Sequence, residues 1–166
     1  MLFRSDSKNG KIKKTGLNIF SKVLTFFNVF KWHEFWIKDV QVNGMPYKNL
    51  TGDFLIKNGI VSTENLFLDG NAMKISAIGS IDIPKGTIDM KLGVQPLSTV
   101  DTIVSNIPVI GYILGGENKS IVIAHFKVTG DLKNPDVESI PIQSLGTGIL
   151  GIFKRIFTYP KYLISP

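Results

Sequence analysis

The 166-residue chain contains no cysteine, which excludes a disulfide framework and any zinc site built on thiolates. Its only histidines are His33 and His125, and Asp89, Asp101, Asp131 and Asp136 follow no metal-ligand spacing. A Gly-x-Ser-x-Gly elbow is missing, and Gly111, Gly115 and Gly116 lack the preceding strand and the lysine of a phosphate loop. We therefore expect no catalytic residues, no metal and no cofactor. Charge is scarce as well: charged residues make up 19% of the chain, against roughly 25% in an average domain. Hydrophobic residues reach 43%, so disorder is excluded on composition. Long apolar runs are absent too. The stretch Leu17 to Trp36 is broken by Asn18, Lys22, Asn28, Lys31, His33 and Glu34, short of the roughly 20 apolar residues a membrane span needs. No apolar core and cleavage site of a secretory signal follow the first basic residues. With no recognisable signal or anchor, a chain that works in an envelope is expected to be one piece of a longer protein.

What charge there is sits at the two ends. The net charge is +6, with Arg4, Lys8, Lys11, Lys13 and Lys14 near the start and Lys154, Arg155 and Lys161 near the end. Both clusters adjoin apolar and aromatic residues, a combination suited to an anionic membrane surface. A solvated basic tail is the plainer reading of the first cluster. Nucleic acid is not expected as a partner: Phe30, Trp32 and Trp36 fall in a helical apolar pattern rather than forming a stacking platform.

Periodicity divides the chain. Residues 1–15 read as a flexible basic tail. Phe20, Val23, Leu24, Phe27 and Phe30 recur at helical spacing, predicting an amphipathic helix over 17–36. From 37 to 96 the pattern is that of strands. Met73, Ile75, Ala77, Ile81 and Ile83 alternate with Lys74, Ser76, Ser80 and Asp82; after Pro84-Lys85-Gly86, Ile88, Met90, Leu92 and Val94 alternate with Thr87, Asp89 and Lys91. Turn signals at Asn58-Gly59 and Asp69-Gly70 make an antiparallel meander the natural topology. Val100, Ile103, Val104, Ile107 and Ile110 predict a helical insertion over 97–114, disturbed at Pro108. A return strand over 119–130 carries Val122, Ala124, Phe126 and Val128 on one side. Residues 142–166 form a second amphipathic segment. The expected fold is mainly β with flanking helices, an α+β arrangement whose curved antiparallel sheet forms an open hydrophobic groove.

Several stretches in order carry a resemblance: Gly52-Asp53-Phe54 through Asn58-Gly59; Ile78-Gly79-Ser80-Ile81-Asp82-Ile83; Leu92-Gly93-Val94-Gln95-Pro96; Ile107-Pro108-Val109-Ile110-Gly111 with Gly115-Gly116; and Val128-Thr129-Gly130-Asp131 followed by Asn134-Pro135-Asp136-Val137. Together with the leading helix and Phe153-Lys154-Arg155, the chain resembles the C-terminal region of the AsmA-like envelope proteins, with residues 16–141 as the domain. The resemblance implies a periplasmic, membrane-associated β-groove that conducts phospholipid between inner and outer membrane and supports the outer-membrane barrier. Its implied partners are phospholipid, a membrane surface (the outer membrane) and the upstream part of a longer groove protein.

On that basis Met73, Ile75, Ala77, Ile81, Ile88, Met90, Leu92, Val122 and Phe126 are the expected groove residues that contact lipid. A closed protein core remains the alternative use of the same face. Ile149, Ile152, Phe153, Ile156 and Phe157, with Lys154, Arg155, Tyr159, Lys161 and Tyr162, are the expected membrane contacts. Their alternative is a capping helix packed on the sheet.

Overall fold

The computed structural model describes residues 1–12, 44–71, 73–97, 111–114 and 121–158. The predicted helix over 17–36, most of the predicted insertion (98–110) and the terminal 159–166 lie outside the described residues.

Alternating sequence becomes an antiparallel sheet of eight strands: β1 (Leu2–Ile12), β2 (Met45–Lys57), β3 (Ile60–Gly70), β4 (Met73–Asp82), β5 (Thr87–Pro96), β6 (Gly111–Leu114), β7 (Ile121–Asp131) and β8 (Asp136–Ser139). The spatial order is β1-β2-β3-β4-β5-β7-β6, with β8 also on β7. The sheet is open, since β1 and β6 end the order without meeting. The β2–β3 hairpin turns at Asn58 (φ 52°) and Gly59 (φ 77°), two positive φ values that Asn-Gly tolerates and most residues do not. In the β4–β5 hairpin, Lys85 N–H donates to Asp82 Oδ1 at 3.0 Å, and Lys85 Nζ lies 3.1 Å from Asp82 Oδ2.

Three local readings change. The basic N-terminal stretch is not a flexible tail over Leu2–Ile12 but a strand paired antiparallel with β2, from Leu2 opposite Leu55 to Ile12 opposite Met45. Its polar composition suits an edge strand, which is stabilised by one neighbour and discouraged from further pairing by charge. Gly111–Leu114, placed in a helical insertion by spacing, pairs with β7 as β6; short apolar runs do not separate helix from strand. Asp136–Ser139 adds β8, beyond the expected end of the return strand.

A 3-10 turn (Ile142–Ser144) leads into the one helix of the described residues, α1 (Thr147–Thr158). α1 lies against β3 and β4, so the sheet has two unlike faces, here termed the apolar face and the helix face.

Candidate functional site

The apolar face is assembled from cross-strand ladders. Leu50, Leu68, Ile75, Val94 and Ala124 stand opposite one another from β2 to β7, and Leu66, Ala77, Leu92 and Phe126 form a parallel row. Because side chains alternate across a strand, each ladder keeps to one side of the sheet. Met73, Ile75, Ala77, Ile88, Met90, Leu92 and Phe126 belong to one buried cluster, with Ile81 packed against it. The structure thus brings the expected groove residues together. Val122 lies on β7 opposite Ile113, but its side chain is outside the described residues. The face is screened from water within the chain: Ile75 is 4% exposed and Ile88 3%.

The helix face is mixed. Thr51, Phe67, Ser76, Gly93 and His125 make one transverse row across five strands. α1 packs over this row with Phe153, Ile156 and Phe157, which share a cluster with Phe67, Ile78 and Ile123. The Phe157 ring meets Phe67 edge-on at 6.2 Å, and Phe153 lies 5.2 Å from the His125 ring. Gly93 makes the approach possible: a Cβ there would stand 3.0 Å from Phe157 and 3.1 Å from Phe153.

This packing corrects the membrane assignment of Phe153, Ile156 and Phe157. All three are buried against the sheet, because an amphipathic helix beside a sheet with spare apolar surface gains the burial there first. Ile149 and Ile152 are half-buried against the same cluster. They wall a groove of about 740 Å³ whose other lining includes Asp53, Glu64, Asp89, Lys91 and Arg155. Lys154 and Arg155 are exposed. Tyr159, Lys161 and Tyr162 lie outside the described residues.

Charge is organised at the β1 edge. Arg4 Nε donates to Asp53 Oδ1 at 2.7 Å, and Asn65 Nδ2 donates to Asp53 Oδ2 at 2.9 Å. The hydrogen bond from Arg4, then that from Asn65, holds the Asp53 carboxyl below its ordinary pKa.

Sequence reasoning missed the buried polar atoms of the helix face. Thr51 Oγ1, Ser76 Oγ and His125 Nδ1 are buried without a hydrogen-bond partner. Burial pushes the His125 imidazole pKa down to about 4. A signal for the cover was present: Phe67, Ile78 and Ile123 are apolar residues standing in the polar phase of their strands. Among the described residues no helix is long and apolar enough to cross a membrane, and no acidic or histidine cluster has metal-site geometry.

The YhdP protein family model matches residues 2–137, from the first residue of β1 into β8. The chain belongs to the YhdP family. This is an AsmA-like family of envelope-associated proteins. Comparison with curated proteins and with solved structures finds no match.

Proposed function

We propose that this chain is the C-terminal module of an AsmA-like envelope protein, and that its apolar face carries phospholipid acyl chains between the inner and outer membrane. The observation that supports this reading is the continuity of the apolar ladders from β2 to β7 in a sheet that does not close. An acyl chain laid along such a face gains about 0.8 kcal/mol for each buried methylene, and head groups stay in water. The mechanism is passive, with no covalent step and no cofactor. Passage from bilayer to groove keeps each methylene out of water throughout, so transfer that supports the outer-membrane barrier needs no chemistry by the protein. Membrane contact through α1 falls to its exposed Lys154 and Arg155, since the apolar side of the helix is engaged by the sheet.

A specific observation favours a second reading. The apolar face is closed to water in this state, so acyl chains enter only if it opens. A permanently closed face would make the chain a structural cap that docks a longer groove onto the outer membrane or a partner protein.

Photoreactive residues at Ile75, Ile88 and Lys74, tested in cells, separate the two. Ile75 and Ile88 lie on the apolar face and Lys74 on the other. Lipid adducts at the first two alone are expected for transport. No adduct at any position, in folded protein in the envelope, would replace transport with the cap.

A further inference from the structure

Between α1 and β7 lies a second, smaller cavity of about 160 Å³. Ile123, Phe153 and His125, all buried, line it together with Ile142, Leu150, Gly151 and the exposed Lys154. His125 is 2% exposed, and its Nδ1 has no hydrogen-bond partner. A buried ring nitrogen left unpaired is costly, and such groups point to an unfilled interaction. The volume equals that of about five water molecules at roughly 30 Å³ each, enough for one oxyanion and a few carbons.

We propose that this cavity is an oxyanion site, taking a phosphate or carboxylate that accepts a hydrogen bond from His125 Nδ1–H and pairs with the Lys154 ammonium. With its proton on Nδ1 the neutral imidazole offers a donor, and a lysine offers only donors; no carboxylate stands among the lining residues described. The aliphatic walls suit a carbon chain attached to the anion, and hydrogen bonds to a charged acceptor are stronger than those between neutral groups. The site is on the opposite side of the sheet from the apolar face, so it stands whether or not that face carries acyl chains. Its ligand is either a free anion or the head group of a lipid.

The test follows the His125 ring by NMR in the full chain, with His125→Leu supplying its assignment against His33. Inorganic phosphate and dihexanoylphosphatidic acid, kept below micelle formation, are the two probes. Saturable shifts of the His125 ring are expected, with affinity falling roughly tenfold in Lys154→Gln, the loss of one charge-assisted hydrogen bond. Lys127→Gln, on the same strand but outside the cavity, should leave affinity unchanged. Shifts with both probes assign a free-anion site, and shifts with the phosphatidic acid alone assign a lipid head group. Absence of shifts with either probe in folded protein overturns the proposal and leaves Nδ1 to water. So does an equal response of the two lysine variants.

Discussion

The two faces of the sheet are both buried, yet they are built on opposite terms. The apolar face is ladder upon ladder of aliphatic and aromatic side chains that share one buried cluster. The helix face buries Thr51, Ser76 and His125 beside Phe67, Ile78 and Ile123. Alternation in a strand therefore tells which residues share a side. It does not tell which side is covered, because a polar side can be covered by an element from elsewhere in the chain.

The largest effects should come from the aromatic residue at the centre of each face. Phe126→Ala on the apolar face and Phe153→Ala on α1 remove side chains that are 2% and 1% exposed. Each is expected to cost about 3–5 kcal/mol if the molecule unfolds as one unit. Urea denaturation followed both by fluorescence and by amide exchange in α1 distinguishes the faces. If α1 is a separately opening unit, Phe153→Ala deprotects α1 amides while the sheet keeps its midpoint. Phe126→Ala should lower the sheet midpoint in either case.

Acid should act through the helix face before it acts through the carboxylates. The His125 imidazole titrates near 6.5 in an unfolded chain and at about 4 in the fold because burial disfavours its charged form. Between these values the unfolded chain holds more protons, so stability is full above pH 6.5 and falls as pH drops to 4. The total is about 3 kcal/mol by linkage. Asp53 and Asp82 are held below their ordinary values, so their contributions are lost only at lower pH. Stability measured from pH 7.5 to 4 should show this slope in the native chain and a much flatter one in His125→Leu.

A glycine on the helix face should be as informative as an aromatic. Gly93→Ala puts a methyl group 3.0–3.1 Å from the Phe157 and Phe153 rings, and overpacking of this kind costs about 1–3 kcal/mol. In a Phe153→Ala background one of the two close contacts is gone while that to Phe157 remains, so part of that cost should vanish. A double-mutant cycle then reports the coupling directly. Additive effects would mean that α1 does not seat over Gly93 in solution.

How much of this was legible differs by element. The hairpin turns were, since Asn58-Gly59 and Pro84-Lys85-Gly86 carry their own backbone chemistry. So was the apolar face, whose residues keep strict phase from Met73 to Val94. β1 was not, because an edge strand with Arg4, Ser5, Asp6, Ser7 and Lys8 has the composition of a tail. What orders it is long-range: pairing with β2, the Arg4–Asp53 ion pair and the Ser7 Oγ contact with Tyr47 Oη at 3.0 Å. The role of α1 was half legible. Its amphipathic pattern fixes that one side must be buried, and the choice between sheet and membrane depends on a receiving surface that no local pattern shows. Phe67, Ile78 and Ile123, out of phase in three separate strands, are that surface.

The smallest expected effect runs against the usual sign of core mutations. Ser76 is 0% exposed and Thr51 is 4% exposed, and the hydroxyl of each is buried without a partner. Each therefore carries a desolvation cost with no hydrogen bond to offset it. Ser76→Ala removes one oxygen and opens little space, and Thr51→Val keeps the side-chain shape. Each should raise stability by about 1 kcal/mol, read as a higher urea midpoint at unchanged slope. Ser80→Ala, on the same face but half-buried at the groove, should stay within about 0.5 kcal/mol of the native chain. A loss of stability in Ser76→Ala or Thr51→Val would instead mean that the hydroxyl is bound by water beneath α1. The helix face would then be a hydrated seam, and the contrast with the dry apolar face would be sharper than the side chains alone imply.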